Sequence, residues 1–154
     1  MRDPVLVDNN VFGAELGRRR RSPLVDLYRP HLIGRVLVIA GQTVAEMKFG
    51  AELAGRCAAR RTRLAAMVGT AEISWPDPET TQCFAKLKAA CWRDGHPLAQ
   101  AAHIADAWIA ATAIRRNMPL VSHDAVFQRR TEFQPSPSFL QRAPRSHAPI
   151  GNGH

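Results

Sequence analysis

Two textures alternate along the chain. Val5-Leu6-Val7, Val36 to Ala40 and Leu120-Val121-Ser122 are short apolar runs, and they suit strands buried on both faces of a parallel sheet. Ala71 to Ser74 is a weaker strand of the same kind, closed by Trp75-Pro76. Between these runs the apolar positions follow helical spacing. Phe12 to Arg21 reads as a short helix ending in four arginines, and Ser22-Pro23 starts a second helix that runs to about Arg29, before Pro30. A third helix starts at Thr43 with Gly55 as its stop, and a fourth covers Cys57 to Val68. Asp77-Pro78 caps a fifth that reaches Trp92, and Ala99 to Arg116 is expected to be the longest. Strand and helix in alternation predict one α/β domain.

From Gln134 onward Pro135, Pro137, Pro144, Pro149 and a Gly-Asn-Gly-His ending replace any periodic face. The expected organisation is therefore a domain over residues 1–133 and a largely disordered Pro/Gly-rich tail over 134–154. A chain of 154 residues with 45% hydrophobic content can bury one proper core. No uncharged apolar stretch approaches about 18 residues, so no membrane partner is expected. Cys57, Cys83 and Cys91 are odd in number and lack C-x-x-C spacing, which disfavours a disulfide framework or a zinc site and fits a reducing cytoplasm.

Charge narrows the partners. Lys and Arg outnumber Asp and Glu by 21 to 13, for a net +8, and an excess of this size favours an anionic partner. Against that background four acids occupy informative places. Asp8 follows the first strand, at the carboxyl edge where open α/β sheets bind ligands, though an acid there also forms turns. Asp106 interrupts an alanine-rich helix that is apolar almost all round, so its charge needs an arginine, a donor network or a wet cleft. His103, one turn earlier, reads as a hydrogen-bonded wall residue. Glu46 lies three residues after Thr43, the spacing of a capping box, and also just past the second strand. Asp124 follows the last strand and serves equally as a cap. If all four converge, an oxygen-only cluster suits Mg²⁺ or Mn²⁺. Such ions ionise water and stabilise charge on a phosphodiester, so nucleic acid hydrolysis is the natural reaction.

Four segments, V-L-V-D-N-N-V-F at Val5 to Phe12, T-V-A-E-M at Thr43 to Met47, I-A-D-A-W-I-A-A-T-A-I at Ile104 to Ile114 and P-L-V-S-H-D-A-V-F at Pro119 to Phe127, together resemble the PIN domain. The nearest type is the VapC ribonuclease toxin of toxin-antitoxin pairs. The resemblance implies a three-layer α/β/α fold with a mainly parallel sheet and a Mg²⁺-dependent endoribonuclease. It also implies a homodimer held by a cognate VapB-like antitoxin. Asp8, Glu46 and Asp106 match the three principal acids and Asp124 the more variable fourth. Asn10 takes the small polar position after the first acid, where it would orient Asp8 or a metal-bound water, and Thr112 matches the threonine downstream of the third. Asn9 stands where Thr or Ser is commoner, and Val126 where an acid often precedes Phe127.

Arg18, Arg19, Arg20 and Arg21 are the first candidates for RNA contact, since an acidic site repels a phosphate chain unless flanking cations offset it. Arg60, Arg61, Arg63, Arg115 and Arg116 add to the same balance. Tyr28 is the only tyrosine and aromatics are few, so recognition is expected through RNA shape or loops rather than base stacking. Two further readings stand beside the RNA-cleaving one: a non-catalytic PIN-like module binding RNA or a partner, with the acids as caps and salt bridges, and a structure-specific DNA nuclease.

Overall fold

A computed structural model describes residues 3–16, 23–54 and 58–128. Arg18 to Arg21, Ser22, Gly55, Cys57 and the proposed tail from Gln134 lie outside the described residues. The elements are β1 (Pro4–Val7), α1 (Asn9–Leu16), α2 (Pro23–Leu32), β2 (Val36–Ala40), α3 (Gly41–Leu53), α4 (Ala58–Val68), β3 (Glu72–Ser74), α5 (Pro78–Arg93), α6 (Ile104–Arg116) and β4 (Leu120–Val121). Short 3-10 turns cover Pro97–Ala99, Ala101–His103 and Ala125–Gln128.

The four strands are all parallel, in the order β3-β2-β1-β4. Alternate side chains serve opposite faces, as the pleat requires. Leu6, Val38, Ala40 and Leu120 pack with Leu87 and Cys91 of α5 and with Ala107, Ile109, Ala110 and Ala113 of α6. Val5, Val7, Ile39 and Val121 pack with Val11 and Phe12 of α1, Tyr28 and Leu32 of α2 and Val44 of α3. A sheet lies between two helical layers, and the fold is the expected three-layer α/β/α arrangement. Among the described residues no helix is long and apolar enough to cross a membrane. Cys83 and Cys91 are free thiols.

Several boundaries differ from the sequence expectation, each for a local reason. α1 starts at Asn9, because the Asp8 carbonyl accepts from the Val11 and Phe12 amides (3.2 and 2.9 Å) as soon as β1 ends. α2 continues through Pro30 to Leu32. The proline removes one amide donor, but Tyr28 and Leu32, one turn apart, bury their side chains in the core, and the Ile33 amide still reaches the Arg29 carbonyl at 3.0 Å. α3 begins at Gly41, with Ala40 at the cap position and no side-chain cap. A Cβ at Gly41 would stand 2.6 Å from the Trp75 ring, so only glycine admits this close approach.

The stretch from Ala99 to Arg116 is not one helix. Gln100 is extended (φ −73°, ψ 152°), and the α-helix proper begins at Ile104. Lys88 of α5 donates to the Leu98 and Ala99 carbonyls at 3.0 and 2.7 Å, taking acceptors that a continuous helix would use itself. Among the described residues the longest helix is instead α5, with 16 residues, opened by Asp77: its carboxylate accepts from the Thr80 amide while the Thr80 hydroxyl accepts from the Asp77 amide. Asn117, left-handed at φ 49°, closes α6.

Candidate active site

Parallel pairing sets one row of residues across the carboxyl edge of the sheet. Leu6 pairs with Val38 and Ala40 with Ser74, while Val7 pairs with Val121. One step on, the register aligns Ser122, Asp8, Ala40 and Ser74, so the row ends where α1, α3 and the loop after β4 begin. Asp8 is buried, 5% exposed, at the centre of this row. Its Oδ1 accepts from the Asn9 amide at 2.6 Å and its Oδ2 from the Ser122 hydroxyl at 2.7 Å.

Ser122 has a second duty: its Oγ accepts the Asp124 amide at 3.0 Å, which couples the first acid to the loop carrying the fourth. That loop is pinned from below by the buried Tyr28, whose hydroxyl lies 2.8 Å from His123 Nδ1 and 3.3 Å from the Ser122 carbonyl. Asn10 Oδ1 accepts the His123 amide at 3.2 Å, so its side chain holds this loop. The Asp124 carboxylate accepts from the Val126 amide at 2.9 Å and thus also does the capping work that its position after a strand allowed.

Glu46 does not form a capping box. Thr43 is the third residue of α3, not its cap, and is fully buried, so the spacing that made Glu46 look like a structural partner has no counterpart here. Asp106 sits in the first turn of α6, where the helix dipole favours an acid, rather than mid-helix as expected. Its partner is not an arginine: Oδ2 lies 2.8 Å from His103 Nδ1, with the two side chains 21% and 30% exposed. Thr112 is buried, and its hydroxyl is committed to the Trp108 carbonyl at 2.9 Å.

Electrostatics links Asp8 to Asp106 and Asp124, and Glu46 to Asp8 and Asp106. Burial raises the Asp8 carboxyl above its ordinary value; the Ser122 and Asn9 bonds oppose this, and the charges of Asp106 and Asp124 raise it further. Glu46 is raised by its partial burial, then by Asp8 and Asp106. Like carboxylates that raise one another favour a bound cation. The oxygen-only set fits a hard divalent ion. Among the described residues, however, no three of His, Cys, Asp and Glu already stand close enough to share one ion.

The arginines divide by use. Arg115 pairs with Asp77 at 3.2 Å and Glu79 at 3.6 Å, and Arg116 Nε donates to Ser74 at 3.1 Å, so both fasten α6 to its neighbours. Arg61 and Arg63 of α4 are exposed. Sequence reasoning missed Ser122, which read as the last residue of an apolar strand, and Trp75, which read only as a strand stop. In both cases the available signal was position: each follows a strand on the edge already marked by Asp8.

The sequence matches the family model of the PIN domain over residues 5–132. No curated protein matches the chain. Among solved structures, VapBC2 from Rickettsia felis, bound to a DNA fragment from its promoter, contains a chain that aligns with a TM-score of 0.70 at 17% identity, over 92% of this chain and 99% of that one. VapBC-5 from Mycobacterium tuberculosis, a member of the VapBC family of toxin-antitoxin systems, aligns at 0.60 and 23% identity, over 81% and 88%. FitAcB from Neisseria gonorrhoeae aligns at 0.62 and 23% identity, over 78% and 87%. These likenesses concern the fold, while the family model covers most of the chain's length and all four acids. The chain belongs to the PIN domain family.

Proposed function

We propose that the chain is a metal-dependent endoribonuclease and the toxin of a toxin-antitoxin pair. The observation that carries this reading is the placement of Asp8, buried at the carboxyl edge of the sheet and raised first by that burial and then by the charges of Asp106 and Asp124, on a protein of net charge +8. Asp8 and Glu46 are each raised by burial and then by neighbouring acids, and a bound cation relieves that arrangement. Asp8, Glu46, Asp106 and Asp124 would hold Mg²⁺ or Mn²⁺. When bound, such an ion lowers the pKa of water and offsets charge developing on a phosphodiester.

The chain's own residues do the rest. Asp8 is fixed by two donors, so its carboxylate keeps one orientation with no reorganisation cost. His103 steadies Asp106 at the mouth of the site and is itself within reach of solvent. The net positive charge draws the phosphate chain towards an edge that would otherwise repel it, with Arg18 to Arg21 the first cluster to test.

A VapB-like antitoxin is the proposed partner, within a complex built on a toxin homodimer. A groove of about 550 Å³ beside α3 and α4 supports it: Val44, Leu64, Val68 and Ile73 line an apolar floor, with Lys48, Arg61 and one acid, Glu52, in its walls. Phe49 and Leu53 are exposed nearby on α3. An apolar segment bearing acids complements this surface.

Incubation with a structured RNA pool decides the chemistry. Cleavage with Mg²⁺ or Mn²⁺, lost in EDTA and in Asp8→Asn, is the expected result. Binding without cleavage, unaffected by metal, refutes the nuclease and leaves the non-catalytic module; preferential cutting of branched DNA in competition identifies a DNA nuclease instead. Co-expression with the adjacent open reading frame and size-exclusion chromatography tests the partner. A harmless protein with no small co-eluting chain would refute the toxin assignment.

A further inference from the structure

A second cleft, of about 250 Å³, opens next to the acidic edge and is lined by Gly41, Gln42, Trp75, Pro76, Trp108 and Thr112. We propose that this cleft is a nucleobase-binding subsite, which seats one base of the strand whose phosphodiester lies at the carboxylates. The proposal rests on the ribonuclease reading for the identity of that strand as RNA.

Placement is the first argument. Ala40 and Ser74 share the row that contains Asp8, and Gly41-Gln42 and Trp75-Pro76 come directly after them. β3 is two strands from β1, a lateral step of roughly 10 Å, within reach of a nucleotide neighbouring the one held at Asp8. Both helices that carry acids also wall the cleft. On α3, Gln42 lies one turn before Glu46, on the same face; on α6, Trp108 and Thr112, one turn apart, line the cleft together.

Chemistry is the second. Trp75 is 58% exposed, and it lies so close over Gly41 that no larger residue fits beneath its ring. Trp108 is held by stacking on Phe84, with ring centres 4.1 Å apart and planes 14° from parallel. The cleft thus has two indoles whose positions are set before any ligand arrives. Its volume lies just below the roughly 300–1,000 Å³ of pockets for drug-sized ligands, the scale of a single flat ring system. Aromatic faces bind bases by stacking whatever their identity, and the Gln42 amide adds a donor and an acceptor that distinguish one base edge from another. No acid is among the residues that line the cleft. The expectation that stacking platforms are sparse therefore gives way: the aromatics are few but two share one cleft.

The test uses the full chain in a Trp92→Phe background, which leaves Trp75 and Trp108 as the only tryptophans, since Trp92 is 78% exposed and outside the cleft. Pentaribonucleotides of A, C, G and U are titrated at low salt in EDTA, so binding is read by fluorescence quenching without cleavage. The expected result is saturable quenching, weakened about tenfold in Trp75→Ala and largely retained in Trp75→Phe, the loss of one base-aromatic stack. Gln42→Ala, which lines this cleft but, unlike Trp75, not the groove beside α3 and α4, should alter the ranking of the four pentamers. Equal affinities for wild type and Trp75→Ala, with both melting normally, overturn the subsite even if Mg²⁺-dependent cleavage is intact. Quenching that depends on Trp75 in a protein that never cleaves RNA supports the subsite while refuting the nuclease.

Discussion

Removing one hydroxyl measures how strongly Asp8 depends on its support. Ser122 is 2% exposed and donates to Asp8 Oδ2 at 2.7 Å. A hydrogen bond to an ionised group contributes about 1.5–3 kcal/mol, and one between neutral groups about 0.5–1.5. Ser122→Ala should therefore destabilise the metal-free protein by about 2 kcal/mol at pH 8. In an Asp8→Asn background the acceptor is neutral, and the same substitution should cost about 1 kcal/mol. The difference, a coupling of about 1 kcal/mol, corresponds to a shift of about 2 to 4 °C in melting midpoint for a domain of this size. Urea unfolding of the four proteins in EDTA reads it directly. The same hydroxyl lowers the Asp8 pKa, so its loss should move the acidic limb of the cleavage profile to higher pH. Costs that add within about 0.3 kcal/mol, together with an unmoved pH profile, would refute the view that Ser122 acts through the Asp8 charge.

Other consequences are open to simpler measurements. Asp106→Asn should abolish cleavage yet cost at most about 1 kcal/mol in EDTA, because its His103 partner is partly exposed; a loss of about 3 to 5 kcal/mol would mean a buried structural pair instead. Mg²⁺ at a hundred times its dissociation constant should stabilise the wild type by about 2.7 kcal/mol and leave that variant almost unchanged, as thermal melts will show. Glu46→Gln should leave metal-free stability equal or higher while removing activity, since the ionised form is disfavoured by burial and by Asp8 and Asp106; full activity would return Glu46 to a purely structural role. Asp8 and Glu46 have folded pKa values above 3.8 and 4.5, so the folded state takes up protons first as pH falls. Their contribution to metal-free stability should rise from neutral pH towards those values, an effect absent in the Asp8→Asn, Glu46→Gln double variant. Asp77 works oppositely: held at about 2 by Thr80 and Arg115, it contributes above 3.8 and its contribution fades as pH drops towards 2.

The strands and acids were legible because their causes are local. Val5 to Val7 and Val36 to Ala40 are apolar without alternation, and that alone marks strands covered on both faces, with Asp8 following directly on the first. The errors arose where a distant residue decides. Alanine-rich sequence before Ile104 is helical by propensity, but Lys88 claims the Leu98 and Ala99 carbonyls. Thr43 resembles a cap by its neighbours, yet contact between Gly41 and Trp75 accompanies an earlier start to α3. Pro30 reads as a stop until the burial of Tyr28 and Leu32 is known. Ser122 and the tryptophan cleft were invisible for the same reason: a serine 114 residues from Asp8 reveals no partnership until the sheet brings them together.

The place of β1 in the sheet also fixes when the protein becomes competent during its own synthesis. β1 precedes β2 and β4 in the chain but lies between them in the sheet, and the amides of Leu6 and of Asp8 just after it bond to the Pro119 and Val121 carbonyls. A nascent chain that stops short of Leu120 has neither the second flank of β1 nor the hydroxyl that holds Asp8. Domains fold as units once their sequence is available, and pairings this distant form late. The acidic edge is therefore assembled only once Pro119 to Ser122 are available, so a product that stops before them carries three of the acids without the frame that holds Asp8.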